Sequence, residues 1–524
     1  QHVSPMNLPI VVLIPLLGAP LTAWVARYGR LHAAWMAGVL ATLALAVLVP
    51  TKWAVFEGAT VVQQIPWMPA LGLNLAFRLD GLGMLFAILI LVIGVLVILY
   101  ARYYLSDADC SGRFYAYLLL FMGSMLGIVL SENILLLLMF WEMTSLSSFL
   151  LISYWQYRSD ARNRARLALT VTGLGGLALL GGFLLLGEVA GSYELSDILI
   201  QGDAVRASPL YTPMLVLILL GAFTKSAQFP FHFWLPQAMA APTPVSAYLH
   251  SATLVKAGVF LLARFFPVLS GTNEWVYIVM GVGLTTLLVG AYFALFKHDL
   301  KGLLAYSTIS HLGLITLLFG IGTPLAAVAG VFHIINHATF KASLFMAAGI
   351  IDHECGSRDM RLINGLWRYM PYTATLAMVA AAAMAGVPLF NGFLSKEMFF
   401  HEAVNFSTYK VWDWMFPALV AFAGVMAVAY SLRFIHDVFF NGEPVNLPRT
   451  PHEPPRWMKV PVEILVGICV LVGVLPALTV GPLLEVGVTG VLQGPPPDYS
   501  LAIWHGFNAA LIMSIVALVG GVLV

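Results

Sequence analysis

Long apolar runs alternate with short polar stretches along almost the whole chain, and their length sets the architecture. A helix that crosses a bilayer needs about 20 mainly apolar residues. About fifteen segments meet that length, at 8–26, 33–50, 79–101, 114–131, 133–154, 166–190, 211–235, 244–267, 275–296, 302–322, 324–350, 371–398, 413–440, 460–482 and 501–523. The predicted fold is an all-α integral membrane protein with about 14–15 transmembrane helices. The first run, Leu8 to Ala26, has no charged stretch before it and no Ala-x-Ala-like cleavage site, so it reads as a retained span and not a signal peptide. Ahead of it, Met6 reads as a candidate native start.

Composition agrees with this reading. Of 524 residues, 60% are hydrophobic and 10% charged, with a formal net charge of +1, whereas a soluble domain is roughly a quarter charged. Near-neutral charge without a long basic run leaves no electrostatic footprint for nucleic acid. Cys110, Cys355 and Cys469 lie far apart with no Cys-x-x-Cys spacing, which argues against a disulfide framework, a zinc ribbon or an iron–sulfur cluster. No Walker A pattern and no Gly-x-Gly-x-x-Gly between a strand and a helix is present, so neither cofactor nor metal is expected.

Loops on the cytoplasmic side carry the excess of Lys and Arg. Loops after odd-numbered spans hold seventeen basic residues, including the run YRSDARNRAR at 157–166, which reads as an orientation determinant. Loops after even-numbered spans hold five: Lys52, Arg78, Arg206, Arg264 and Lys410. The odd loops are therefore expected to face the cytoplasm, with the N-terminus outside. Four basic residues remain, all inside predicted spans: Lys225, Lys256, Lys341 and Lys396.

A charged side chain at the centre of a membrane helix costs about 2.5–3.5 kcal/mol on insertion scales, so it is kept where it pairs or lines a wet path. Glu142, preceded by the apolar run ILLLLMFW, is the matching acid, and pairing with Lys225 is the expected arrangement. Lys225 lies between Gly221 and Pro230, and Lys396 follows Gly386, Pro388 and Gly392. Two Gly/Pro-interrupted spans in corresponding halves point to broken helices and to inverted repeats of the kind secondary transporters use. Between these lysines lie His250 and Lys256 in the eighth span and His311 in the tenth. His333, His337 and Lys341 follow in the eleventh at i, i+4 and i+8, on one helix face. Two histidines at i, i+4 suit a metal, but no HExxH pattern is present and Lys341 would repel an ion. Such a row reads as a proton relay. A shift of Glu142 toward or away from Lys225 would change the lysine's proton affinity and pass a proton through Lys256 and the histidines toward Lys396.

The stretches LMFWEMTSLSSFLL, TKSAQFPFHFWLPQAMAAPTPVSAYLHSATLVKAGVFLLAR, KGLLAYSTISH and PLFNGFLSKE resemble the antiporter-like subunits shared by respiratory complex I, membrane-bound hydrogenases and Mrp cation/proton antiporters. The resemblance covers residues 70 to 440. Within that superfamily, SAYLHSATLVKAG and HECGSRDMR make the A-type subunits of Mrp-type Na+/H+ antiporters the nearest likeness.

That resemblance implies two inverted five-helix bundles with broken helices 7 and 12, and a functional group on a broken eleventh helix. The domain division it implies is 1–110 for helices 1–3, 111–270 for the first bundle (helices 4–8), 271–440 for the second (helices 9–13) and 441–524 for helices 14–15. Glu142 and Lys225 would be the coupled pair, His250 and Lys256 the connection, His333, His337 and Lys341 the central group and Lys396 the distal lysine. The A-type subunits of that family continue past the position of Val524.

The expected function is proton translocation in a multi-subunit monovalent cation (Na+)/proton antiporter of a bacterial inner membrane, a secondary transporter and not an enzyme. Its expected partners are other membrane subunits, protons, Na+ and the lipid bilayer. The alternatives are the pumping arm of complex I or a membrane-bound hydrogenase, and the coupling subunit of an inorganic-carbon uptake complex. A scaffold has no need of four buried lysines.

Overall fold

A computed structural model describes residues 7–406 and 411–524. Met6 and Lys410 lie outside the described residues. The described chain is mainly helical: α1 Asn7–Val25, α2 Arg30–Leu48, α3 Gly81–Tyr104, α4 Ser111–Leu130, α5 Ile134–Ile152, α6 Ser159–Ala190, α7 Tyr211–Lys225, α8 Thr243–Leu249 and α9 Lys256–Arg264. The second half holds α10 Asn273–Leu295, α11 Leu300–Ile321, α12 Pro324–Cys355, α13 Pro371–Ala385, α14 Asn391–Asn405, α15 Trp412–Phe440, α16 Arg456–Val474, α17 Gly481–Leu492 and α18 Ala509–Leu523. Among the described residues, 11 helices are long and apolar enough to cross a membrane. The outer helices α2 and α6 turn apolar side chains outward, such as Trp35, Leu174 and Leu177, as a lipid-facing surface requires.

Polar residues next to the apolar runs fix the helix starts. Asp80 accepts from the Gly83 N–H, Asn133 from those of Leu135 and Leu136, and Thr323 from that of Ala326, each satisfying orphan donors of a first turn. Two interruptions fall where proline and glycine predict them. α7 stops at Lys225 and gives way to a non-helical stretch through Pro230, while α13 and α14 are separated by Gly386–Phe390. Each break contains a left-handed non-glycine residue, Ala227 at φ 51° and Leu389 at φ 76°, a conformation kept only where surrounding packing enforces it.

Four expectations need correction. The stretch read as a loop before the third span is structured: β1 Val61–Met68 and β2 Leu73–Leu79 form an antiparallel hairpin there, with Val61 opposite Leu79 and Ile65 opposite Leu75. The eighth span is itself broken between α8 and α9. There Thr253 Oγ1 donates to the Tyr248 carbonyl (2.7 Å) and Ser251 Oγ to that of Ala247, competing with the helical ladder. The eleventh span is unbroken: α12 runs 32 residues, and its only proline stands at the first helical position, where no N–H is needed. Finally, α17 is a short apolar helix between the last two predicted spans.

Arg78 and Arg264, counted as loop charges, are buried. Arg264 Nη1 meets Asp80 Oδ2 at 2.6 Å, Arg78 Nη1 meets Glu132 Oε2 at 3.3 Å, and Arg78 Nη2 donates to Gln493 Oε1 at 3.3 Å. This cluster ties the hairpin and the starts of α3 and α5 to the ends of α9 and α17.

Candidate functional site

α12 forms the inner wall of the site, with its most apolar 18-residue stretch wholly buried. α11, α13, α14 and α16 pack around it, together with α8. His333, His337 and Lys341 stand on it at one-turn intervals and are all 0% exposed.

A continuous hydrogen-bonded row crosses this interior. His311 Nδ1 lies 2.9 Å from His333 Nε2, and the two rings stack at 5.2 Å with an interplanar angle of 16°. His333 Nδ1 lies 2.8 Å from Ser395 Oγ, and at the other end His311 Nε2 lies 3.2 Å from Tyr430 Oη. Each imidazole offers one donor and one acceptor when neutral, so the row accommodates either proton direction by exchanging tautomers. Asn336 Nδ2 donates to Ser395 Oγ (3.1 Å) and the Asn391 carbonyl (2.9 Å), which locks α14 against α12.

Three buried lysines bond to the helices around the row. Lys256 Nζ donates to the Ile334 carbonyl of α12 (3.0 Å). Lys341 Nζ donates to Ser307 Oγ of α11 and to Met384 Sδ (3.1 Å), and Lys396 Nζ to the carbonyl of the same Met384 (2.9 Å). Gly386 adopts a left-handed φ of 88°, and its missing Cβ would stand 3.0 Å from Lys396 Cδ. The break in the twelfth span thus makes room for the lysine stem. His337 completes the cluster, its ring 5.2 Å from that of His311. Among the described residues, neither ring nitrogen of His337 has a hydrogen-bond partner, nor has either nitrogen of His250. Buried imidazoles of this kind take hydrogen bonds from internal water.

At the other end of the trail, Glu142 and Lys225 lie within electrostatic reach of each other. No ion pair within 4.0 Å joins them among the described residues. Lys225 Nζ instead donates to Ser145 Oγ (2.6 Å) and the Trp141 carbonyl (3.1 Å), both on α5, and lies 5.1 Å from the Trp141 ring centroid. A direct pair is replaced by a hydroxyl one helical turn from the acid. Ser226, next in sequence to Lys225, donates to the Val255 carbonyl (2.5 Å) and accepts from the Val259 N–H (3.0 Å), fastening this break to the start of α9 at Lys256.

Sequence reading missed two members of the site. Lys301, assigned to a loop, is 1% exposed in the first turn of α11. It donates to the Ala241 carbonyl (2.8 Å) at the edge of a cavity of about 360 Å³ that Asp352 and Arg358 also line. Its place in KGLLAYSTISH, upstream of His311, was the available signal. Tyr430 lies in an apolar run with no motif around it.

Comparison with known proteins agrees with this architecture. Residues 131–422 match the family described as "NADH:quinone oxidoreductase/Mrp antiporter, TM", and residues 67–115 match "NADH-Ubiquinone oxidoreductase (complex I), chain 5 N-terminus". A Rhizobium meliloti protein, named as the probable A/B subunit of a K(+)/H(+) antiporter, is 59% identical over 98% of this chain and 52% of its own. The A-type subunit of the Na(+)/H(+) antiporter of Alkalihalophilus pseudofirmus is 43% identical over 97% of this chain and 67% of its own.

Among solved structures, a chain of the Mrp complex from Dietzia sp. superposes with a TM-score of 0.89 at 36% identity, covering 98% of this chain and 55% of that one. A chain of respiratory complex I from Thermus thermophilus gives 0.78 at 24% identity, covering 93% of this chain and all of that one, and shares the fold. The chain spans about half the length of the Rhizobium relative and of the Dietzia chain. With more than half of its residues inside one family match and nearly its whole length aligned to these antiporter relatives, this chain belongs to the NADH:quinone oxidoreductase/Mrp antiporter family of membrane proteins.

Proposed function

We propose that this chain is the proton-translocating part of a multi-subunit monovalent cation/proton antiporter in a bacterial inner membrane, working as a secondary transporter alongside other membrane subunits. The observation that carries the reading is the unbroken row Tyr430, His311, His333, Ser395, flanked by Lys256, Lys341 and Lys396 in an interior with no carboxylate to pair them among the described residues. Uncompensated lysines at this depth suit a site that binds and releases protons. The relay comprises Glu142, Lys225, His250, Lys256, His311, His333, His337, Lys341 and Lys396, with Lys301 as a further entry point beside its cavity. Residues 111–270 and 271–440 are the two inverted bundles, each with a break beside its lysine, Lys225 or Lys396. The names of the relatives support both K+ and Na+ as the exchanged cation.

The test is a pH-dye assay in everted vesicles from a host lacking its own cation/proton antiporters, expressing this chain with its partner subunits. Collapse of an imposed proton gradient on adding KCl or NaCl, absent in Lys225→Ala, is the expected result. A response to neither salt, with gradient formation driven by NADH or hydrogen, would move the chain to the redox-driven branch of the family.

A further inference from the structure

The row of hydrogen bonds ends at Tyr430, and its distal lysine, Lys396, is not joined to it by any hydrogen bond among the described residues. Both nevertheless line one small gap. A gap of about 10 Å³ between α10, α11, α14 and α15 is lined by His311, Tyr430 and Lys396 together with Ser310 and apolar residues including Phe399 and Ala427. A volume of about 10–15 Å³ on this measure admits one water molecule, provided polar partners surround it. They do. An ammonium carries three donors, of which Lys396 uses one on the Met384 carbonyl. The Tyr430 hydroxyl, once it donates to His311, has two lone pairs with which to accept, and with Ser310 bonded to one of them the other is left for a water. Tyr430 is also 0% exposed, so bulk solvent does not reach that oxygen.

We propose that a single internal water occupies this gap, bonded to Lys396 Nζ and Tyr430 Oη, and that Tyr430 is a relay residue carrying protons between Lys396 and the histidines. The proposal rests on the proton-transfer reading above. In one direction the Lys396 ammonium gives a proton to the water, and the water gives one to the Tyr430 oxygen. The Tyr430 hydroxyl gives its original proton to His311 Nε2, and His311 releases its Nδ1 proton to His333 Nε2. Water, Tyr430 and His311 each gain and lose one proton, Lys396 ends neutral, and His333 ends as an imidazolium.

Two experiments on the assembled complex test this. A structure at a resolution that shows ordered waters should carry density in the gap within hydrogen-bond distance of both Lys396 Nζ and Tyr430 Oη, and an empty gap overturns the proposal. Tyr430→Phe keeps the ring and removes only the hydroxyl. Maximal cation-driven proton flux should then fall about 100-fold, the scale of one lost proton-transfer group, with the half-saturating cation concentration unchanged. Adding Ala427→Ser, which returns a hydroxyl to the gap, should recover part of the flux. Unchanged flux in Tyr430→Phe, or a fall matched by an equal shift in half-saturating cation, overturns the assignment. If the wild-type complex moves no protons, the transport reading falls while the density still decides the water.

Discussion

Gly176 of α6 lies directly against the carboxylate of Glu142 on α5: a methyl group at residue 176 would overlap Glu142 Oε1. The acid is therefore held near Lys225 by the absence of a side chain on the neighbouring helix. Gly176→Ala should displace the carboxylate and lower cation-driven proton flux by about 10–100-fold, since misplacing a reacting group by about 1 Å has effects of that order. Gly173→Ala is the control, because a methyl there meets nothing within 4 Å. Equal flux in the two variants would show that the position of Glu142 does not matter.

Ser395 is the hydroxyl through which the histidine row touches α14. Ser395→Ala removes the partner of His333 Nδ1 and should lower flux about tenfold or more, whereas Ser395→Thr keeps the hydroxyl and most of the activity. Flux ratios measured at one expression level decide it, and full activity in Ser395→Ala would place the route elsewhere.

The cluster around Arg264 is a set of buried ion pairs remote in sequence from the histidine row, and its expected effect is on stability. Asp80→Ala strips the carboxylate from Arg264 and leaves Glu132 as the one carboxylate paired with Arg78 among the described residues. Removing one partner of a buried ion pair costs about 3–5 kcal/mol, so the thermal midpoint of the detergent-solubilised complex should fall clearly. Replacing the pair together, as Asp80→Ala with Arg264→Met, should recover part of the loss. An unchanged midpoint in the single variant would mean that the cluster is solvated in the membrane.

Outside the spans, Asp359 accepts from Arg361 Nε (3.0 Å), Nη2 (2.9 Å) and backbone N–H (3.0 Å), and these bonds hold its carboxyl below the ordinary 3.8. A carboxyl with a depressed folded-state pKa stabilises the fold above its ordinary pKa, and that contribution is lost as pH falls through the folded value. The pair is solvent-screened, so the effect is small. Asp359→Asn should lower the thermal midpoint slightly at neutral pH, and the difference from wild type should close below about pH 4. A constant difference across that range would assign the loss to the backbone bond instead.

Most of the helical architecture was legible because a hydrocarbon slab imposes one length and one composition on whatever crosses it. The lysines and histidines stood out for the same reason, as charges where charge is costly. What escaped the pattern is instructive. The hairpin at 61–79 alternates too weakly around Pro66 and Trp67 to announce strands. The break at His250 depends on where Ser251 and Thr253 turn their hydroxyls, which hydropathy does not register. Arg78, Arg264 and Lys301 stood at the edges of apolar runs and were counted with the loops, since a linear sequence does not reveal that other segments fold over them. Tyr430 is an aromatic residue in an apolar helix until His311 is brought to 3.2 Å from it.

α12 carries one last consequence. A continuous helix of 32 residues is about 48 Å long, against a hydrocarbon thickness of about 30 Å. His333, His337 and Lys341 ride near its middle, while at its far end Glu354 holds His353 and His452, each at 2.8 Å. A rod without a hinge cannot turn one of these side chains alone: any rotation of α12 about its axis carries His333, His337 and Lys341 through the same angle at once.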